Sequence, residues 1–148
     1  MNDKIGSIET FTAILERAAG TLGDLNPALF SRFYSRFPEA REAFRQHSLG
    51  APATLETAMA DATLYCVMHW LERPVEVRLI LTDQVPHHCG TLGIDQQWFS
   101  GLVEEMIVLI ASTVPQDNLI EKSLCERLST DLKNAIEAAN TRFRRRPA

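Results

Sequence analysis

No CxxC pair occurs in the 148 residues, and the three cysteines, Cys66, Cys89 and Cys125, are an odd number. That argues against a disulfide framework or a structural zinc site and makes a reducing compartment the natural expectation. No apolar run approaches the ~20 residues of a membrane span, and the first residues, MNDKIGSIETF, lack the charged-then-apolar build of a signal peptide. A cytoplasmic protein without a membrane span is expected. Basic charge is not in excess either. The formal net charge is -4, the opposite balance to a phosphate-binding domain, so no nucleic-acid partner is expected. A Gly-rich phosphate loop, an HExxH helix and a nucleophile elbow are all missing. Strand-type alternation is missing as well.

What is present is apolar periodicity at three and four, which predicts an all-α chain. At this length one domain spanning 1–148, with a core and room for a pocket, is the economical expectation. Ile5, Ile8, Phe11, Leu15 and Ala18 mark a first helix that stops near Gly20 and Gly23. Asn26-Pro27 opens a second, a capping side chain followed by proline at the first helical position, with Leu29, Phe30, Phe33 and Phe37 as its aromatic face. Pro38 starts a short helical turn, PEAREAF, ending in Phe44, and RQHSLGAPA, 45–53, reads as a loop. The next helix, about Thr54 to Glu72, would turn Leu55, Ala58, Met59, Ala62, Cys66, His69 and Trp70 inward. A shorter apolar segment follows Pro74. Trp98, Leu102, Met106 and Ile110 stripe a sixth helix. Ile120, Leu124, Leu128, Leu132, Ile136, Ala139 and Phe143 stripe a long last one. The basic run Arg142 to Arg146 at its end complements the helix macrodipole, with a partner or membrane-surface contact as the minority reading.

The chemically richest stretch is VPHHCGTLGIDQQWFSGL, Val85 to Leu102. Neutral histidine is among the best ligands for iron, zinc and copper. Adjacent histidines on a helix point about 100° apart, so at most one of His87 and His88 serves as an axial ligand. Zinc held by His87, His88 and Cys89 would need three consecutive side chains to converge, and a His88–Cys89 dyad fails because helix neighbours diverge. Two surface histidines on a solvated turn are the plain alternative.

Two separated stretches together resemble the globin family. LFSRFYSRFPEAREAF, Leu29 to Phe44, is similar to the end of a globin B helix and the C helix, where proline opens the C helix and a phenylalanine six residues later packs on the haem; Pro38 and Phe44 have that spacing. HHCGTLGIDQQWF is similar to the end of the F helix, with its proximal histidine, and the start of the G helix. It looks most like the globin domains of bacterial haem sensors, with one extra residue between histidine and tryptophan. The resemblance implies a globin-like fold of about seven helices (A, B, C, E, F, G and H type) around a haem-sized pocket, and haem b with its iron as the cofactor.

Within that resemblance His88 is the preferred axial ligand, since its distances to Ile94 and Trp98 match the vertebrate-type globin pattern, and His87 is the named rival. Phe30, Phe33, Phe44, Leu102 and Met106 would supply apolar walls, and Arg45 or His47 would meet a propionate. Fixing the register from Arg73-Pro74 puts Ala58 at the gas-binding position with Ala62 one turn on and Met59 between them. An ungapped register from Phe44 instead puts Tyr65 there, with His69 able to close a bis-histidine site; Met59 is a further candidate through its sulfur. The implied function is reversible binding of a diatomic gas (O2, NO or CO) for sensing, scavenging or NO chemistry. Enzymatic activity, such as NO dioxygenase or a peroxidase-like reaction, would need an external reductant. The alternative is a haem-free globin-like module that works by protein contact. Family analogy also suggests a homodimer through the last two helices.

Overall fold

A computed structural model describes residues 2–48, 51–91 and 93–145. Among them are seven α-helices and no strand: α1 (Asn2–Leu22), α2 (Asn26–Arg36), α3 (Pro38–His47), α4 (Pro52–His69), α5 (Pro74–Pro86), α6 (Gln96–Ala111) and α7 (Leu119–Arg145). A π-helical turn, His87–Thr91, continues α5. The all-α expectation and the number of helices stand. No helix among these residues is long and apolar enough to cross a membrane.

Proline and glycine set most of the boundaries. Pro27, Pro38, Pro52 and Pro74 each lie in the first turn of a helix, where a missing N–H costs nothing and the fixed φ favours helical geometry. Gly23, at φ +63, turns the chain between α1 and α2, and Gly93, at φ +69, turns it before α6. Both need the left-handed backbone that glycine adopts without strain. Asp24, and not Asn26, supplies the polar group at the start of α2, its Oδ1 accepting the Asn26 N–H at 3.0 Å. Asp95 caps α6 by accepting the Gln97 N–H at 2.9 Å. The expected 45–53 loop is shorter than its composition suggests. Arg45 and His47 belong to α3, and α4 already begins at Pro52, so the connection reduces to about 48–51.

The core is built on α6 and α7, which pack along each other, with α5 against α7, α2 across α6, and α4 against α6 and α2. Leu102, Met106 and Ile110 of α6 meet Leu124, Leu128, Leu132 and Ile136 of α7, all buried at helical spacing. Phe11, Ile14 and Ala18 close the core from α1. Ile5 and Ile120, expected on buried stripes, are instead exposed. Each sits in the first turn of its helix. Phe143 and the basic tail lie outside the residues whose side chains are described.

Polar locks fix the helix crossings. Arg32 meets Glu105 at 2.7 Å, and Arg36 meets Glu104 at 2.9 Å, tying α2 to α6. Glu105 is itself buried, so its pairing satisfies a carboxylate that burial would otherwise penalise. Arg17 holds Glu121 by two bonds, 2.7 and 3.1 Å, tying α1 to the start of α7.

Candidate functional site

The corner after α5 is positioned by Pro86. Lacking an N–H, Pro86 cannot donate to the Thr82 carbonyl, and the α-helical ladder stops there. The chain continues as the π turn His87–Thr91, a geometry concentrated at functional sites. The Gln84 carbonyl accepts the backbone N–H of His87 and also faces Nδ1 of His88 at 2.8 Å. A carbonyl only accepts, so Nδ1 carries the proton and Nε2 is left with its lone pair. The Ile94 N–H bonds back to the His88 carbonyl at 3.0 Å and closes the turn.

His87 and His88 diverge as expected of helix neighbours: their ring planes stand 83° apart with centroids 5.3 Å apart. His87 is exposed, whereas His88 is half-buried with its ring edge-on to Phe99 at 5.2 Å. Phe99 is the second member of the aromatic pair that opens α6, beside Trp98, which carries the stripe of that helix.

Phe44, from α3, meets the start of α6 at Trp98, the neighbour of Phe99. Its ring is fully buried, stacked on Phe33 at 5.7 Å and edge-on to Trp98 at 5.9 Å. Phe30 joins through Phe33 at 6.2 Å, and Leu102 is buried beneath Trp98 on the same helix. A continuous aromatic path therefore runs from α2 through α3 to the start of α6, where Phe99 touches His88. Ile94 and Met59 are half-buried.

Helix α4 carries two stripes, and this corrects the inward face expected for it. Ala60, Cys66, Val67 and Trp70 are buried, whereas Ala58 and Ala62 are exposed. Positions two apart on a helix lie roughly 200° round from one another, so Ala58 and Ala62 point away from Ala60. The spacing 58, 62, 65, 69 instead places both alanines on one line with Tyr65 and His69. There the Tyr65 hydroxyl donates to the Glu76 carboxylate of α5, and its ring lies 4.3 Å from that of His69. The bond to Tyr65 is the main cause holding the Glu76 carboxyl below its usual range, helped by Arg73 and His69, and it raises the Tyr65 phenol. Nδ1 of His69 is buried and has no hydrogen-bond partner. Arg45 pairs with Glu42 at 2.7 Å on α3, and His47 is exposed nearby.

None of the three cysteines forms a disulfide. Burial pushes the Cys66 thiol up to about 11 and raises Cys125 as well, which makes both poor nucleophiles. Among the described residues no group of three or more His, Cys, Asp or Glu side chains converges to hold a bare metal ion. Comparison with family models, with curated proteins and with solved structures finds no match for this chain.

Proposed function

We propose that the chain is a globin-like protein that binds haem b through His88 and, by means of it, reversibly binds a diatomic gas: O2, NO or CO. The observation that carries this is the 2.8 Å bond from His88 Nδ1 to the Gln84 carbonyl. A second bond of this kind orients a metal-binding imidazole and raises the basicity of its other nitrogen. The donor set fits the group. One such histidine, with no three-residue cluster among the described residues, suits an iron whose remaining ligands come from its own macrocycle and does not suit a bare ion.

When bound, haem supplies the iron that takes up the gas. The chain's residues do the rest. The Gln84 carbonyl holds the His88 proton, Phe99 packs against the His88 ring, and Phe44, Trp98 and Leu102 would offer apolar wall. Phe30 and Phe33 back that wall. Ala58 and Ala62, which the resemblance puts at the gas position, are exposed on α4 and carry no donor themselves; bound O2 without a donor forgoes roughly 1 kcal/mol of stabilisation that CO and NO need less. Tyr65 is engaged by Glu76, so His69 is the nearest donor on that line. Sensing or scavenging follows from such binding; turnover would require an external reductant.

The test is the absorption spectrum of the purified protein, as isolated and titrated with hemin. A sharp Soret band that is lost in His88→Ala and kept in His87→Ala is expected. Absence of saturable uptake by folded protein would overturn the proposal. A six-coordinate ferrous spectrum without added ligand would shift the distal role to His69, Tyr65 or Met59. The second reading, a haem-free regulatory or interaction module, is favoured by one observation: Phe44 is already enclosed by Phe33, Tyr34 and Trp98. A homodimer through α6 and α7 belongs to either reading. Exposed Val108, Leu119 and Ile120 on those helices support it, and sedimentation across a concentration series checks it.

A further inference from the structure

On the side of α4 away from the Ala58–His69 stripe, a cavity of about 350 Å³ opens between α1, the turn before α2, α4 and α6. We infer that it is a binding site for a small amphipathic amine, a cationic head on a benzyl-sized or short-alkyl body. The volume falls within the roughly 300–1,000 Å³ of small-molecule sites. Its floor is apolar and reaches the core: Ala18, Ala60, Met106 and Ile110 line it and are all buried. The two alanines make the space, because larger side chains there would fill it.

The mouth has a single sign of charge. Asp24 and Asp61 line it, and no basic side chain does. Asp61 is exposed and takes part in no hydrogen bond or ion pair among the described residues, while Asp24 uses one carboxylate oxygen on the Asn26 N–H and keeps the other. Met68 of α4 also lines the cavity and is 42% exposed, an apolar side chain on the solvent side of the helix. An apolar floor under two carboxylates selects a cation with an apolar body. It disfavours an anion by like-charge repulsion, and a neutral hydrocarbon gains none of the attraction that a cation finds at the carboxylates. The overall charge of -4 adds attraction at a distance. Of its lining only Met106 was expected among the haem walls, and none comes from α5 or the His88 turn, so the site can be tested without haem.

The test is a backbone amide NMR titration of the full chain, without hemin, using benzylamine with toluene and benzoate as its neutral and anionic counterparts. Benzylamine should give saturable shifts at Ala18, Ala60 and Ile110. Asp61→Asn, an exposed change that leaves the fold intact, should weaken benzylamine roughly fivefold, the effect of losing one solvent-exposed charge contact. Toluene should bind more weakly than benzylamine and be indifferent to Asp61→Asn, and benzoate should shift none of these amides. Toluene binding as tightly as benzylamine, benzylamine binding unaffected by Asp61→Asn, or no saturable shift at these positions would each overturn the inference.

Discussion

Gly101 sits where α2 meets α6, and a Cβ built there would collide with Cε2 and Cζ of the Phe37 ring. Phe37 is half-buried, so its ring can shift outward, but only by giving up contact with Phe33, 5.3 Å away. Gly101→Ala is therefore expected to lower stability by about 1–3 kcal/mol, the range for overpacking a contact, even though alanine is the better helix former. Urea denaturation measures it, and Phe37→Leu in the same chain should recover part of the loss. Glu121 makes a second case at this scale. Its bonds to Arg17 hold the folded carboxyl below its ordinary value, so the contribution is present above the unfolded pKa and is lost as pH falls through the depressed folded one. Wild type should exceed Glu121→Gln by about 1 kcal/mol at neutral pH, a small figure because Arg17 is solvent-screened. The gap should close at acid pH. A gap that widens on acidification would contradict the assignment. Neither residue was legible in the sequence. A glycine within a helix and a glutamate 104 positions from its arginine acquire meaning only from the crossings that bring their partners near.

The elements were easier to find than the faces they turn inward. Periodicity and proline placement pointed to about seven helices, because both signals are local, although α3 was read three residues short and α5 only as a shorter apolar segment. On α4 the apolar residues run round much of the circumference, so spacing did not choose between the stripe containing Ala58 and Ala62 and the one containing Ala60 and Val67. Packing against α2 and α6 decides it. The π turn was only half legible: Pro86 signals an interruption, but the tautomer of His88 follows from where the Gln84 carbonyl lies. Two measurements examine this element. Imidazole ¹⁵N spectra at a pH where histidine is neutral should show His88 with its proton on Nδ1. In Pro86→Ala, the restored N–H can bond the Thr82 carbonyl, α-helical bonding can continue, and the His88 ring turns off the Gln84 carbonyl. The Nδ1–H signature should then weaken and hemin uptake should fall with it. An unchanged His88 spectrum in Pro86→Ala would show that the turn owes nothing to the proline.

At the scale of the molecule, Phe44 is the joint between its two halves. One face of the ring stacks on Phe33 of α2, its edge meets Tyr34, and Trp98 at the start of α6 closes it. The histidine corner hangs on α6 through Phe99, so whatever holds Trp98 against Phe44 also sets how firmly the corner is fixed. Removing a buried phenylalanine typically costs about 3–5 kcal/mol, a large part of the roughly 5–15 kcal/mol that holds a domain of this size together. Phe44→Ala should therefore lower the urea midpoint steeply, while Phe44→Leu, which keeps much of the apolar volume, should lose less. In a Trp70→Phe background Trp98 becomes the sole tryptophan, and its emission in Phe44→Ala should shift to the red under native conditions as solvent reaches the ring. If α2, α3 and the corner form one cooperative unit, Trp98 emission and far-ultraviolet dichroism will follow a single transition in every variant. A Phe44→Ala protein that loses less than about 1 kcal/mol, with Trp98 emission unmoved, would separate the aromatic cluster from the corner. It would then leave His88 on a turn that the core does not support.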